Sequence, residues 1–202
     1  GRHRVHGVTL PSTPRCTSTT WQPVKYYPGG FDPLWTAWAP DGKSFYQQRQ
    51  RTTVTHYNLE TGAEKEISVP RNSFTTILSP HGEQFAFSVT VTNAGSFSRT
   101  ISVMPAAGGE PRPLVALTGA EAMDLTYLPD VGLGWTPDSR YVLFVKGNAN
   151  NPKMRALWRV PVAGGEPEPL GLQMEELREP VSSPDGRRIA FTVGGTKKEL
   201  WA

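Results

Sequence analysis

The sequence predicts an all-β protein assembled from repeated four-stranded antiparallel sheets. Three observations carry this prediction: a composition of turn formers interleaved with strand formers, a proline-centred corner stated four times, and a glycine joint that recurs at a fixed place after it. Among 202 residues, 20 Gly and 19 Pro alternate with short runs of Val, Ile, Phe, Tyr and Trp, the mixture expected of many short strands. The length is enough to bury a sizeable core.

The first corner copies are "TAWAPDGKSFYQQ" at 36–48 and "TILSPHGEQFAFS" at 76–88, followed by "LGWTPDSRYVLFV" at 133–145 and "PVSSPDGRRIAFT" at 180–192. Their prolines stand at 40, 80, 137 and 184, so the intervals are 40, 57 and 47 residues. A four-stranded propeller blade occupies about 40–45 residues, with insertions lengthening it. Each corner joins a first strand to a second. Pro presets φ for the first central position of a turn, Asp suits the next, and Gly accepts the positive φ that closes the hairpin. His81 replaces the Asp in the second copy and Ser139 replaces the Gly in the third. A catalytic carboxylate would not become an imidazole at an equivalent position, whereas a turn tolerates either. Asp41, Asp138 and Asp185 are therefore read as frame residues.

The second strand of each repeat is an alternating apolar run such as Phe85-Ala86-Phe87 or Tyr141-Val142-Leu143-Phe144. Third strands follow in "TVTHYNLETG" at 53–62, "TISVMPAAGGE" at 100–110 and "ALWRVPVAGGE" at 156–166. They run into a second joint at Gly62, Gly108-Gly109 and Gly164-Gly165, where glycine permits a tight reversal. Fourth strands are "KEISV" at 65–69, "PRPLVAL" at 111–117 and "PEPLGL" at 167–172. Their prolines suit an outermost strand, because Pro cannot donate to a central ladder. Together these elements predict a β-propeller of about four blades, with approximate repeats at 34–70, 73–117, 131–172 and 179–202. The last repeat stops in its third strand, "WQPVKYY" at 21–27 resembles a preceding fourth strand, and residues 1–20 are unassigned. The expectation is an incomplete ring, a fragment of a larger protein.

The residues "SSPDGRRIAFT", "GWTPDSRYVLFV" and "LWRVPVAGGEPEPL" resemble the bacterial TolB-like propellers, a WD-like repeat class marked by the Ser-Pro-Asp-Gly turn. Related blades form the propellers of prolyl oligopeptidases, dipeptidyl peptidases and the tricorn protease. The resemblance covers about 35–202 and implies fold more than function, since the shared motif consists of frame residues. The stretch from "PEPLGLQMEELREP" to "ELWA" also resembles the last blade of large bacterial proteins in which a propeller follows a protein kinase or a winged-helix regulatory domain. The resemblance favours a periplasmic or extracytoplasmic setting; residues 1–20 lack the apolar stretch of a secretion signal, so the compartment stays open.

The chemistry the sequence excludes is as informative. Twenty-one basic against 18 acidic residues give a net charge of only +3, which is no footprint for nucleic acid. No run of about 18 apolar residues could insert in a membrane as a helix. Cys16 is the single cysteine, so neither an internal disulfide nor a thiolate metal site can form. No G-x-S-x-G elbow, P-loop, dinucleotide fingerprint or EF-hand loop occurs. His3 and His6 have no third ligand nearby, and His56 and His81 are isolated. No catalytic, metal or cofactor residues are assigned, and no cofactor is expected.

What varies between repeats is loop length. Both fixed joints belong on one rim of the disc, leaving the variable connections on the other, where binding residues are disproportionately carried. The candidates there are 89–99, 118–132 with Asp124 and Asp130, and 146–155 with Asn148 and Asn150. Trp35, Trp38, Trp135, Trp158 and Trp201 are read as packing between blades. The function expected is a non-enzymatic binding or sensing module that presents loops to a protein or peptide partner. Its alternatives are the substrate-gating propeller of a serine peptidase and a lyase or glycan-acting propeller.

Overall fold

The computed structural model of the chain describes residues 35–202 apart from 51, 94–95, 123–131, 194–198 and 202. Contacts divide the chain into Gly1–Phe31 and Asp32–Ala202, and the described residues all belong to the second unit. The segment "WQPVKYY" and residues 1–20 lie outside the described residues, as does His3-x-x-His6.

Among the described residues, fifteen strands form four antiparallel sheets. The first holds β1 (Trp35–Trp38), β2 (Ser44–Gln50), β3 (Thr53–Asn58) and β4 (Glu64–Ser68) in that spatial order. The second holds β5 (Ser73–Leu78), β6 (Gln84–Asn93), β7 (Ser96–Pro105) and β8 (Arg112–Thr118). The third is β9 (Leu133–Trp135), β10 (Tyr141–Asn148), β11 (Asn151–Pro161) and β12 (Glu168–Glu175), again consecutive. The fourth contains β13 (Leu177–Ser182), β14 (Ile189–Val193) and β15 (Glu199–Trp201). This is the propeller blade pattern, and the four sheets make an open arc, not a closed ring. The proline-bearing strands β8 and β12 are edges, as their missing donors require. The fourth sheet begins at Leu177, two residues before the start expected from the repeat.

Strand alternation decides how the sheets stack. Successive side chains point to opposite faces, so Phe85 and Phe87 join Tyr46, Val54 and Ile67 of the first sheet in one core. Ala86, between them, belongs instead to the core shared with Val142, Phe144 and Val160 of the third sheet. The same division recurs one sheet later, where Leu143, Val145 and Leu157 meet Leu177, Ile189 and Phe191. Each fully buried Phe or Leu contributes about 1.5–3 kcal/mol. A sheet with two apolar faces is stable only with a neighbour on each.

Along the inner strands the sheets approach closely. A Cβ on Gly134 would lie 2.3 Å from the Pro180 carbonyl oxygen, so only glycine admits β13 at this distance. Ser182 Oγ donates to the Trp135 carbonyl at 2.5 Å. At the outer strands a long basic side chain reaches the next sheet's glycine joint: Lys65 Nζ donates to the Ala107 carbonyl at 2.8 Å, and Arg112 Nη2 donates to the Val162 carbonyl.

The corners themselves stack. A Cβ on Gly82 would sit 2.6 Å from Pro40 Cδ, so the first corner packs directly on the glycine of the second. The third corner has Ser139 in that place at φ +57, and its Oγ accepts the His81 backbone N–H at 3.1 Å. The serine departs from the motif and compensates with a hydrogen bond between corners.

Gly82→Ala combines a left-handed backbone (φ +75) with a clash against Pro40, and we expect it to lower unfolding free energy by about 2–4 kcal/mol. Gly42→Ala, at φ +67 with nothing within 4 Å, should cost only about 1–2 kcal/mol. Urea denaturation of both variants checks the difference.

Candidate functional site

One rim of the arc carries the corners. In all four copies the residue before Pro makes the same two backbone bonds, shown by Gly42 N–H to the Ala39 carbonyl at 3.0 Å and Ala39 N–H to the Ser44 carbonyl at 2.9 Å. The glycine joints share this rim, because the residue after β3, β7 or β11 bonds the residue before β2, β6 or β10: Leu59 to Lys43, Ala106 to Glu83 and Val162 to Arg140, all through N–H to carbonyl at 2.8–2.9 Å.

The corner carboxylates are consumed by this frame. Asp41 Oδ1 accepts the backbone N–H groups of Lys43 at 2.8 Å and Ser44 at 3.2 Å. Asp138 Oδ1 accepts the Thr136 hydroxyl at 2.6 Å and the Arg140 N–H at 3.1 Å. Asp185 Oδ1 does the same with the Ser183 hydroxyl at 2.5 Å and the Arg187 N–H at 3.1 Å. These bonds favour the ionised form and hold all three below the ordinary carboxylate range. The leading cause is the Lys43 N–H for Asp41, the Thr136 hydroxyl for Asp138 and the Ser183 hydroxyl for Asp185. Where His81 replaces the Asp, Ser79 Oγ still accepts the Gln84 N–H at 3.1 Å, as Thr136 Oγ1 and Ser183 Oγ accept from Tyr141 and Arg188 at 3.0 Å. His56 stacks on Tyr46 with ring centroids 4.5 Å apart.

The inner strands line a concavity of about 470 Å³, bounded by Ala37 to Pro40, Ile77 to Pro80, Leu133 to Trp135 and Pro180 to Ser182. Its wall is mostly apolar, with Ser79 and Ser182 in it, and carries no titratable side chain. Trp38, 63% exposed, and Val181, 61% exposed, stand in it. Trp38 is thus the exception among the described tryptophans: Trp35 meets Phe85 edge-on at 6.0 Å, Trp135 is buried between sheets, and Trp158 packs on the same core. The Trp201 side chain lies outside the described residues. Among the described residues no three His, Cys, Asp or Glu converge, and no helix is long and apolar enough to cross a membrane.

The opposite rim differs from one sheet to the next. The stretches expected as loops at 89–99 and 146–155 are largely strand, because β6–β7 and β10–β11 pair almost to their tips. Asn93 faces Ser96 and Asn148 faces Asn151. Asn148 Oδ1 accepts the Asn150 N–H at 2.8 Å, tying both candidates into a hairpin turn. Lys146 Nζ pairs with Glu121 at 2.7 Å and lies 4.8 Å from the Trp158 ring centroid. Asp124 and Asp130 lie outside the described residues.

Beneath this rim is a layer that the sequence reading passed over. Arg99 is 2% exposed and Arg155 8% exposed, and Gln48, Thr76 and Ser88 are buried at 0–2%. Arg99 Nη2 donates to Ser88 Oγ at 3.2 Å, and burial lowers its pKa to about 10. The signal was present in the third strands, "RTISVMP" and "RALWRVP", where an Arg precedes the interblade Ile101 or Leu157 by two residues.

No family model matches the chain, and no curated protein matches it in sequence. Solved structures match its fold. TolB from Acinetobacter baumannii superposes with a TM-score of 0.59 at 18% identity, covering 82% of this chain and 38% of that one. A putative TolB from Agrobacterium tumefaciens gives 0.57 at 22% identity, covering 82% and 56%. The tricorn protease gives 0.56 at 12% identity, covering 80% and 19%. The chain has the β-propeller fold of these proteins and spans well under two thirds of the length of each.

The depressed corner carboxylates set an acid dependence. Their bonds contribute stability in full above the unfolded carboxylate pKa of about 4, and this is lost as pH falls through the lower folded values. We expect Tm to hold down to about pH 4 and fall below it, with a shallower fall in a triple Asp41→Asn, Asp138→Asn, Asp185→Asn variant. Thermal melts from pH 6 to pH 2 measure both slopes.

Proposed function

We propose that the chain is a non-enzymatic β-propeller binding or sensing module, part of a larger bacterial protein, whose hairpin rim meets a protein or peptide partner. The observation that carries this reading is the asymmetry of the two rims. One rim repeats a single hydrogen-bonded frame in four copies, with its corner aspartates committed to turns. The other differs in each sheet in hairpin length and in side-chain content, so partner-specific contacts have room to be placed there without disturbing the scaffold. The β6–β7 ribbon, ten residues per strand, is the longest paired hairpin among the described residues, and Val91 on it is 43% exposed. Lys146 and the Asn148–Asn151 turn offer polar contacts beside it.

The likeness to the tricorn protease supports a second reading, in which the propeller screens peptides for a hydrolase domain elsewhere. The two readings share a peptide partner and differ in whether chemistry follows.

Panning a random peptide library on the full chain tests the proposal. Enriched peptides should lose at least about tenfold in affinity, or about 1.4 kcal/mol, with Val91→Asp or Lys146→Glu, and keep it with Lys43→Glu on the corner rim. Binders that respond only to Lys43→Glu would place the binding face on the wrong rim.

A further inference from the structure

Aligned on Pro105 and Pro161, the third strands of the second and third sheets put Arg99 and Arg155 in equivalent positions. Each lies two residues before an apolar side chain in the seam to the next sheet, Ile101 or Leu157. The environments of the two arginines differ in one decisive place. Opposite Ile101 on the neighbouring strand is Ser88, whose hydroxyl accepts from Arg99 at 3.2 Å. Opposite Leu157 is Val145, which has no acceptor to give.

Arg155 is 8% exposed, and its Nε has no hydrogen-bond partner. Among the described residues no carboxylate lies within ion-pair distance of it. Across the seam, the start of the fourth sheet brings a second guanidinium. Glu176 is held at φ +51 by its N–H bond to the Lys153 carbonyl at 2.9 Å, and its Oε2 is 3.7 Å from Arg178 Nη2. That is an ion pair too long for a hydrogen bond. Arg178 Nε is buried and unpartnered as well. Arg178 is thus paired with a carboxylate that does not hydrogen-bond it, and Arg155 is paired with none among the described residues. Burial first, and the Arg178 charge second, hold Arg155 below the ordinary arginine range, with Glu176 opposing in part.

Below them, Leu157 and Leu177 are 1% and 0% exposed, a dry floor that strengthens any charge-assisted bond formed above it. A buried guanidinium with unmet donors is costly. A carboxylate supplies the missing acceptors in the planar geometry that arginine matches bidentately.

From this geometry we infer that Arg155 and Arg178 form a carboxylate-binding site in the seam between the third and fourth sheets, at the hairpin rim. The inference rests on the rim reading above and names its chemistry: the site takes a carboxylate of the partner peptide, from an acidic side chain or from a chain terminus. Glu176 sets the net charge of the cluster at +1 and disfavours an unselective pile-up of anions.

Arginine Nε–H resonances of the 15N-labelled full chain report on the site directly. Three probes separate the sources: N-acetyl-Gly-Gly-Gly with a free terminus, N-acetyl-Gly-Glu-Gly-amide, and the uncharged N-acetyl-Gly-Gln-Gly-amide. The expected result is saturable movement of the Arg155 and Arg178 Nε–H signals with at least one carboxylate probe and none with the glutamine probe; the probe that acts identifies the source. Arg155→Lys should weaken binding at least about fivefold, because charge is kept and the planar fork is lost. Arg178→Gln should weaken it about tenfold. A dispersed, folded spectrum in which neither carboxylate probe moves these signals overturns the site, as does unchanged affinity in both variants. Rim-directed library peptides indifferent to both substitutions would also overturn it while leaving the rim reading intact. Carboxylate binding without any rim-directed peptide would uphold the site and remove the rim reading.

Discussion

The two apolar faces of each sheet are the constraint on which the rest of the structure depends. In β6 the alternation sends Phe85 and Phe87 one way and Ala86 the other, and in β10 it sends Val142 and Phe144 one way and Leu143 and Val145 the other. A strand buried on both sides belongs to a stack, because a single sheet would leave one of these sets in water. Face-to-face stacking of strongly twisted four-stranded units, inner strand to inner strand, produces the radial arrangement, and the closest approach is reached where Gly134 lies under the Pro180 carbonyl.

Given that stack, the corners and the outer clasps set its register. Each corner is closed by its own backbone bonds, and the contacts from Pro40 to Gly82 and from His81 to Ser139 lock one copy to the next. Lys65 and Arg112 do the same at the outer edge. Such contacts join exposed groups and are individually modest, but they are directional where the apolar cores are not. The cores supply most of the stability; the corners and clasps decide the alignment.

The two rims differ as a consequence of this division. A rim committed to repeated bonds has little freedom to diversify, whereas the hairpin rim varies in strand length and in charge. The buried polar layer under that rim is where the copies diverge most sharply in chemistry: the same arginine position donates to Ser88 in one seam and has Val145 in the place of that serine in the next.

Much of the architecture was legible in one dimension because it is local. The Pro-Asp-Gly corners, the glycine joints, the alternating runs and the proline-bearing edge strands are properties of a few neighbouring residues, and they appear where periodicity places them. The reading of Asp41, Asp138 and Asp185 as frame residues rested on His81 occupying the same slot, and the hydrogen bonds bear it out. The loops at 89–99 and 146–155 were misread because Ser, Thr and Asn on a half-exposed ribbon have the composition of a loop, while strand pairing with the other arm of the same hairpin keeps them extended. Exposure of Trp38 was beyond the sequence altogether, and burial of Arg99 and Arg155 left only a faint trace in it, an arginine two residues before Ile101 or Leu157. A tryptophan in a strand and an arginine at a strand end are the same letters whether they face solvent or a seam; which of these they face is decided by the neighbouring sheet, contributed by residues tens of positions away.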